Sequence, residues 1–171
     1  MDAAMSVAAS SLANIADQYV YSLYSEAGTY VEVESPDETT IIPYIIEARQ
    51  KLYENNVSDA SGVVIEVSPA VASLILKAKV ALSSDNAETL ETGCIGSIAG
   101  CKIFVSQNIA NVDGVHKCLV RTKRAIAFAE QLSEIVAYRP ERRFADALKG
   151  LHLYGASVVY PNEMVLLNIT I

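Results

Sequence analysis

Tryptophan is missing altogether, histidine occurs only twice and cysteine only three times. His116 and His152 sit in strand-like contexts, and neither has an Asp or Glu at metal-ligand spacing, so zinc or catalytic-triad chemistry has no framework. Cys94, Cys101 and Cys118 make an odd set without a CxxC pair, flanked by Ile95, Ile103 and Leu119. Buried free thiols are expected. No run approaches the roughly eighteen apolar residues of a membrane span, and the opening MDAAMSVAASSLANIADQYV has an early Asp2 and no basic n-region. Neither a span nor a secretory signal is expected, and the chain should be soluble and intracellular when made. Basic charge is also short: 13 Lys and Arg face 20 Asp and Glu, a net charge of −7. That excludes the dense cationic field needed for tight binding to a phosphate backbone.

Hydrophobic residues make up 51% of the 171, enough to bury a sizeable core as one domain or two small subdomains. The charge is uneven. Fourteen acidic and four basic residues lie before Cys101, against six acidic and nine basic from there on. An acidic half meeting the basic half of a neighbouring copy would use that asymmetry to set register, although an ordinary solvated surface explains it too.

Helical spacing of Met5, Ala8, Leu12, Ile15, Tyr19 and Leu23 predicts one long helix from Asp2 to Ala27, with Gly28 as its stop. Tyr30 to Pro36 is either a short edge strand or an exposed connection. Pro43 suits a first helical turn, and Ile45, Ile46, Arg49, Leu52 and Tyr53 continue a second helix to Asn55. GVVIEV at 62–67 predicts a buried strand. Ser68 and Pro69 then start a third helix, with Val71, Leu74, Ile75 and Ala78 inward. Ser83 to Glu91 reads as a loop. Ile95 to Ala99 and Lys102 to Ser106 form a hairpin through Gly100. Asn108 to Gly114 reads as a mobile turn, and Lys117 to Arg121 as a returning strand. Ala125 to Arg139 mixes helical and strand periods and stays open between them. Phe144 to Leu148 reads as a short turn or helix. Strands at Leu151 to Tyr160 and Met164 to Ile171 close the chain.

Few residues offer chemistry. Cys118 and His116 share a strand face, which would permit a thiolate pair in a small intracellular α/β enzyme. The glycines of GCIGSIAG match neither common phosphate-loop pattern and fit hairpin turns. Arg121, Lys123, Arg124, Arg139, Arg142 and Arg143, near Tyr138, Tyr154 and Tyr160, suit subunit contacts, because Arg forks bind carboxylates in two-pronged fashion.

The order of the segments MDAAMSVAASSLANIADQYVYSLY, NNVSDASGVVIEVSPAVASLILKA, IGSIAGCKIFVSQNI and AIAFAEQLSEIVAYRPERRFADALKGLHLYGASVVYPNEMVLL resembles the major capsid proteins of tailed bacteriophages. Their Hong Kong 97-type fold is shared with encapsulin shells. The resemblance implies an α+β protein with a long spine helix and connection in a peripheral P subdomain (1–42), an axial A subdomain (43–123) and return strands of the P subdomain (124–171). It implies a non-enzymatic capsid subunit that forms pentamers and hexamers of an icosahedral shell around DNA, with no cofactor or metal. Partners would be copies of itself, with scaffold and portal proteins, and DNA only by weak non-specific contact. It would reside in the virion capsid, and in host cytoplasm before assembly. Asn108 and Asp113 would lie on a loop toward the capsomer axis, and Arg121, Arg124, Arg139, Arg142 and Arg143 at subunit interfaces. Because the family's N-terminal arm and extended loop are not seen before the helix, the chain is expected to be the C-terminal core of such a protein, either truncated or naturally short. An encapsulin-like compartment shell is the alternative within the same fold.

Overall fold

The structure, a computed structural model, describes residues 2–57, 62–78, 94–140 and 147–171. In chain order these form helix α1 (Asp2–Ser22), strand β1 (Thr29–Glu34), helix α2 (Ile41–Glu54), strand β2 (Val63–Val67) and helix α3 (Pro69–Lys77). Strands β3 (Cys94–Ile98), β4 (Cys101–Val105), β5 (Asn111–Val112), β6 (Val115–Thr122), β7 (Ile126–Tyr138), β8 (Ala147–Val158) and β9 (Met164–Thr170) follow. The expected loop at Ser83 to Glu91 lies outside the described residues.

A mixed seven-stranded sheet runs in the order β1-β9-β6-β2-β4-β3, with β5 paired to β6. β2, the largely apolar run VVIEV, is buried at every position, flanked by strands on both sides. It lies parallel to β4 and antiparallel to β6. α2 and α3 supply the core that includes Ile45, Ile65, Ile75, Cys118 and Leu167. Removing a side chain such as Ile65 from water is worth about 1.5–3 kcal/mol.

Local chemistry sets the boundaries. Ser68 caps α3, its hydroxyl accepting from the Val71 amide at 3.5 Å, with Pro69 in the first helical position as expected. Val71, Ala72 and Ile75 are its buried residues. In α2, Ile41, Ile45, Ala48, Arg49 and Leu52 turn inward, while Ile46 and Tyr53 face out. The buried Arg49 donates to the Val57 carbonyl at 3.1 Å and lies 3.9 Å over the Tyr53 ring. The β3–β4 turn uses Ala99 and Gly100, both at positive φ, and the β5–β6 turn uses Asp113 and Gly114 in the same way. Such mirror-image turns match the twist of hairpin strands.

The opening helix is shorter than its periodicity suggested. The α-helix ends at Ser22 and tightens into a 3-10 turn over Leu23–Glu26. Gly28 is needed for closeness, since an added Cβ there would lie 2.7 Å from the Pro161 carbonyl oxygen. Tyr30 to Pro36 resolves as an edge strand, β1, parallel to β9. The ambiguous Ala125 to Arg139 segment is the long strand β7, paired over its whole length with β8 in a separate two-stranded ribbon. Of the expected turn at Phe144 to Leu148, residues 144–146 lie outside the described residues, and Ala147 and Leu148 open β8. The last strand, grouped by the sequence with 124–171, joins the main sheet between β1 and β6.

Candidate assembly surfaces

Polar side chains at the end of β6 are committed inside the subunit. Arg121 grips Glu66 of β2 with two hydrogen bonds, 2.9 Å from Nε and 2.7 Å from Nη2. The two side chains are 15% and 10% exposed, so this pair sits where water screens it little. Burial holds the Glu66 carboxyl above its ordinary value even though Arg121 opposes that shift. Around them lies an open groove of about 400 Å³, walled by Val20, Val64, Phe104, Ile126 and Phe128 with Lys123 also lining it. Tyr21 packs nearby, its hydroxyl pushed up by burial and by the Glu66 charge.

Arg124 makes a second fork on Glu163, at 2.8 and 2.6 Å, and Thr122 donates its hydroxyl to the same carboxylate. The Arg124 hydrogen bonds draw Glu163 below its ordinary value. Tyr160 stacks 5.5 Å from the guanidinium. Arg124 differs from Arg121 in that its side chain is 72% exposed, so its outer face is open to solvent.

The remaining candidates are scattered. Asn108 faces its own subunit, donating to Asn14 at 3.3 Å and accepting from Gln18 at 3.5 Å, both on α1. Asp113 is exposed at the tip of the β5–β6 turn, and Arg139 is exposed just beyond β7. Arg142 and Arg143 lie outside the described residues. The arginines therefore do not form one patch: a strand of about 40 Å separates Arg124 from Arg139. Cys101 and Cys118 are buried free thiols. Burial pushes Cys118 up to about 12, so it is a protonated thiol at neutral pH and has no thiolate to share with His116.

Sequence reasoning missed how much apolar surface α1 and the ribbon expose. The stripe Leu12, Ile15 and Tyr19, to which the spacing assigned no direction, stays 39–49% exposed, while the neighbouring Ala16 is buried. Val7 is 66% exposed. The ribbon adds Phe128, Val136, Leu151 and Leu153 to this uncovered apolar surface. α1 meets the ribbon through the edge-on contact of Tyr19 with Tyr154, ring centres 5.6 Å apart. Other large apolar side chains, among them Tyr30, Leu76 and Ile171, are also exposed, but α1 and the ribbon carry about half of those described, and exposed apolar patches mark surfaces that partners cover. Only the composition of β7 and β8 signalled it: long, apolar and lacking proline.

No protein-family model matches the sequence, and no curated protein does either. Solved structures do. A chain from Mycobacterium phage Che8 superposes with a TM-score of 0.80 at 26% identity, over 98% of this chain and 63% of that one. The capsid of cyanophage P-SCSP1u gives 0.70 at 14% identity, covering 99% and 66%. A virus-like particle from Pyrococcus furiosus gives 0.55 at 13% identity, covering 92% and 64%. This chain spans about two thirds of the length of these neighbours. Its fold is that of phage capsid chains, the Hong Kong 97-type fold expected above.

Proposed function

We propose that this chain is a structural subunit of a phage or prophage capsid, working through repeated contacts with copies of itself around symmetry axes. The observation that carries the reading is the likeness to the Che8 chain over nearly all of the sequence. It is supported by a helix and ribbon whose apolar side chains the subunit leaves uncovered. Heterologous contacts that close give pentamers and hexamers, and small changes of angle between them give curvature. Many modest contacts then hold the shell by multivalency.

In this reading α1 and the β7–β8 ribbon make the peripheral P subdomain, and segment 43–123 makes the axial A subdomain. β1 and β9 go with the A subdomain, because they pair with β6. Asp113 on its turn, and Arg139 with Arg142 and Arg143, are contacts to neighbours. Arg124 contributes only its outer face. The subunit performs no chemical step. Scaffold and portal proteins are further partners, and packaged DNA touches it weakly and without sequence preference. The protein resides in the virion capsid, after a period in host cytoplasm. The likeness to the Pyrococcus furiosus particle supports a compartment shell as the second reading.

Sedimentation and electron microscopy of the purified chain test the proposal. Concentration-dependent rings or shells are expected. A strictly monomeric protein with a specific activity lost on Cys118→Ala, its folding intact, would overturn it.

A further inference from the structure

We propose that His152 is a pH-sensitive latch between α1 and the β7–β8 ribbon, closed while its ring is neutral and released when the ring takes a second proton. By the period of a strand, His152, Tyr154, Ala156 and Val158 share one face of β8. Tyr154 meets Tyr19 of α1 there, and Ala156 and Val158 pack on the same buried cluster as Val20 and Tyr21. The His152 ring centre lies 5.3 Å from that of Tyr154, and its side chain is only 8% exposed. The imidazole is part of this joint.

Its two nitrogens are unequally served. Nε2 lies 3.3 Å from Glu130 Oε2, and because a carboxylate only accepts, Nε2 carries the proton of the neutral ring. Nδ1 is buried and has no partner among the described residues. In the neutral ring this strands a lone pair, whereas in the charged ring it strands the N–H of a cation, which is much the worse of the two. Attraction to Glu130 offsets little of that, because the glutamate is 59% exposed and water screens the pair. The charged ring finds its missing acceptor by admitting water, and that parts α1 from the ribbon.

Among the described residues, no other charge at the joint takes over this role. On β7 the facing acid is Glu130, the Glu134 side chain lying outside the described ones, and on β8 the period of the strand sets Lys149 on the opposite face. The charged residues of α1 are Asp2, at its far end, and Asp17, which acts on Glu66 in the sheet. Glu26 is exposed in the 3-10 turn that follows, and Tyr19 and Tyr154 are the remaining titratable side chains at the contact. Histidine changes charge between about pH 5 and pH 8, so the latch is closed at the upper end of that range and open at the lower.

Hydrogen exchange of the full chain at pH 8 and pH 5, corrected for the intrinsic effect of pH on exchange, tests this in any oligomeric state. Amides of α1 around Tyr19 and of β8 around Tyr154 should exchange about ten-fold faster at pH 5, while those of β2 and β9 keep their protection. His152→Phe, uncharged at both pH values, should abolish the difference; should that variant not fold, His152→Gln makes the same test. The buried Glu66 carboxyl, raised above its ordinary value, is near α1 on the sheet side, so a pH effect that survives in these variants arises elsewhere and would overturn the latch. Equal protection of the parent at pH 8 and pH 5 would overturn it too, and either result leaves the shell reading standing.

Discussion

Glu66 and Arg121 make a pair that water barely reaches, and its worth lies in both members being present. Replacing Arg121 with Ala leaves a buried carboxylate alone, and a loss of about 3 kcal/mol in chemical denaturation is expected. Replacing both, as Glu66→Leu with Arg121→Met, should cost far less, because no charge is then stranded. Asp37 shows a different electrostatic device. Its carboxylate accepts from the amides and hydroxyls of Thr39 and Thr40, at 2.7–2.9 Å, ahead of α2. Those bonds lower it from 3.8 to about 2. A carboxyl lowered on folding stabilises the protein above its unfolded value and loses that contribution as pH falls through the folded one. The melting temperature of Asp37→Asn should therefore lie below that of the parent at pH 6, with the gap closing between pH 4 and pH 2.

Elements with strong local signals were legible in the sequence, and those decided by tertiary partners were not. Ser68-Pro69 announced α3, and Gly100 announced the β3–β4 hairpin, because capping and turn geometry depend on a few adjacent residues. β7 stayed ambiguous because its partner β8 comes after a separate segment, and pairing rather than propensity makes it a strand. The stripe on α1 was legible as a stripe. Its orientation was not, because in an assembling subunit an apolar face can point outward as readily as inward. The arginines were legible as fork-forming residues, but sequence spacing could not reveal that Glu66 and Glu163 had claimed two of them. The β3–β4 hairpin also offers a test of turn chemistry. Ala99 holds a φ of 51°, where a Cβ is unfavourable, so Ala99→Gly should raise stability by about 0.5–1 kcal/mol in thermal unfolding.

The whole molecule divides its labour. A sheet layered with α2 and α3 holds a dense core, and α1 with the ribbon extends from it with apolar side chains in the open. The sheet buries its apolar residues within the subunit, whereas α1 and the ribbon pack Val20, Tyr21, Ala156 and Val158 against a second cluster and leave other apolar side chains for further surfaces to cover. That contrast, joined to a fold shared with phage capsid chains over 98% of the sequence, is the centre of the account. Leu12 and Ile15 take little part in the core, so Leu12→Ser with Ile15→Ser should leave the subunit folded by circular dichroism. Its oligomers should weaken markedly.

The most direct measurement is an electron cryomicroscopy map of the particles this protein forms. Copies arranged around a symmetry axis, with the α1 stripe and the ribbon buried between subunits, is the result the account predicts. A symmetric particle in which both of those surfaces face solvent, or no ordered assembly at all, would contradict it.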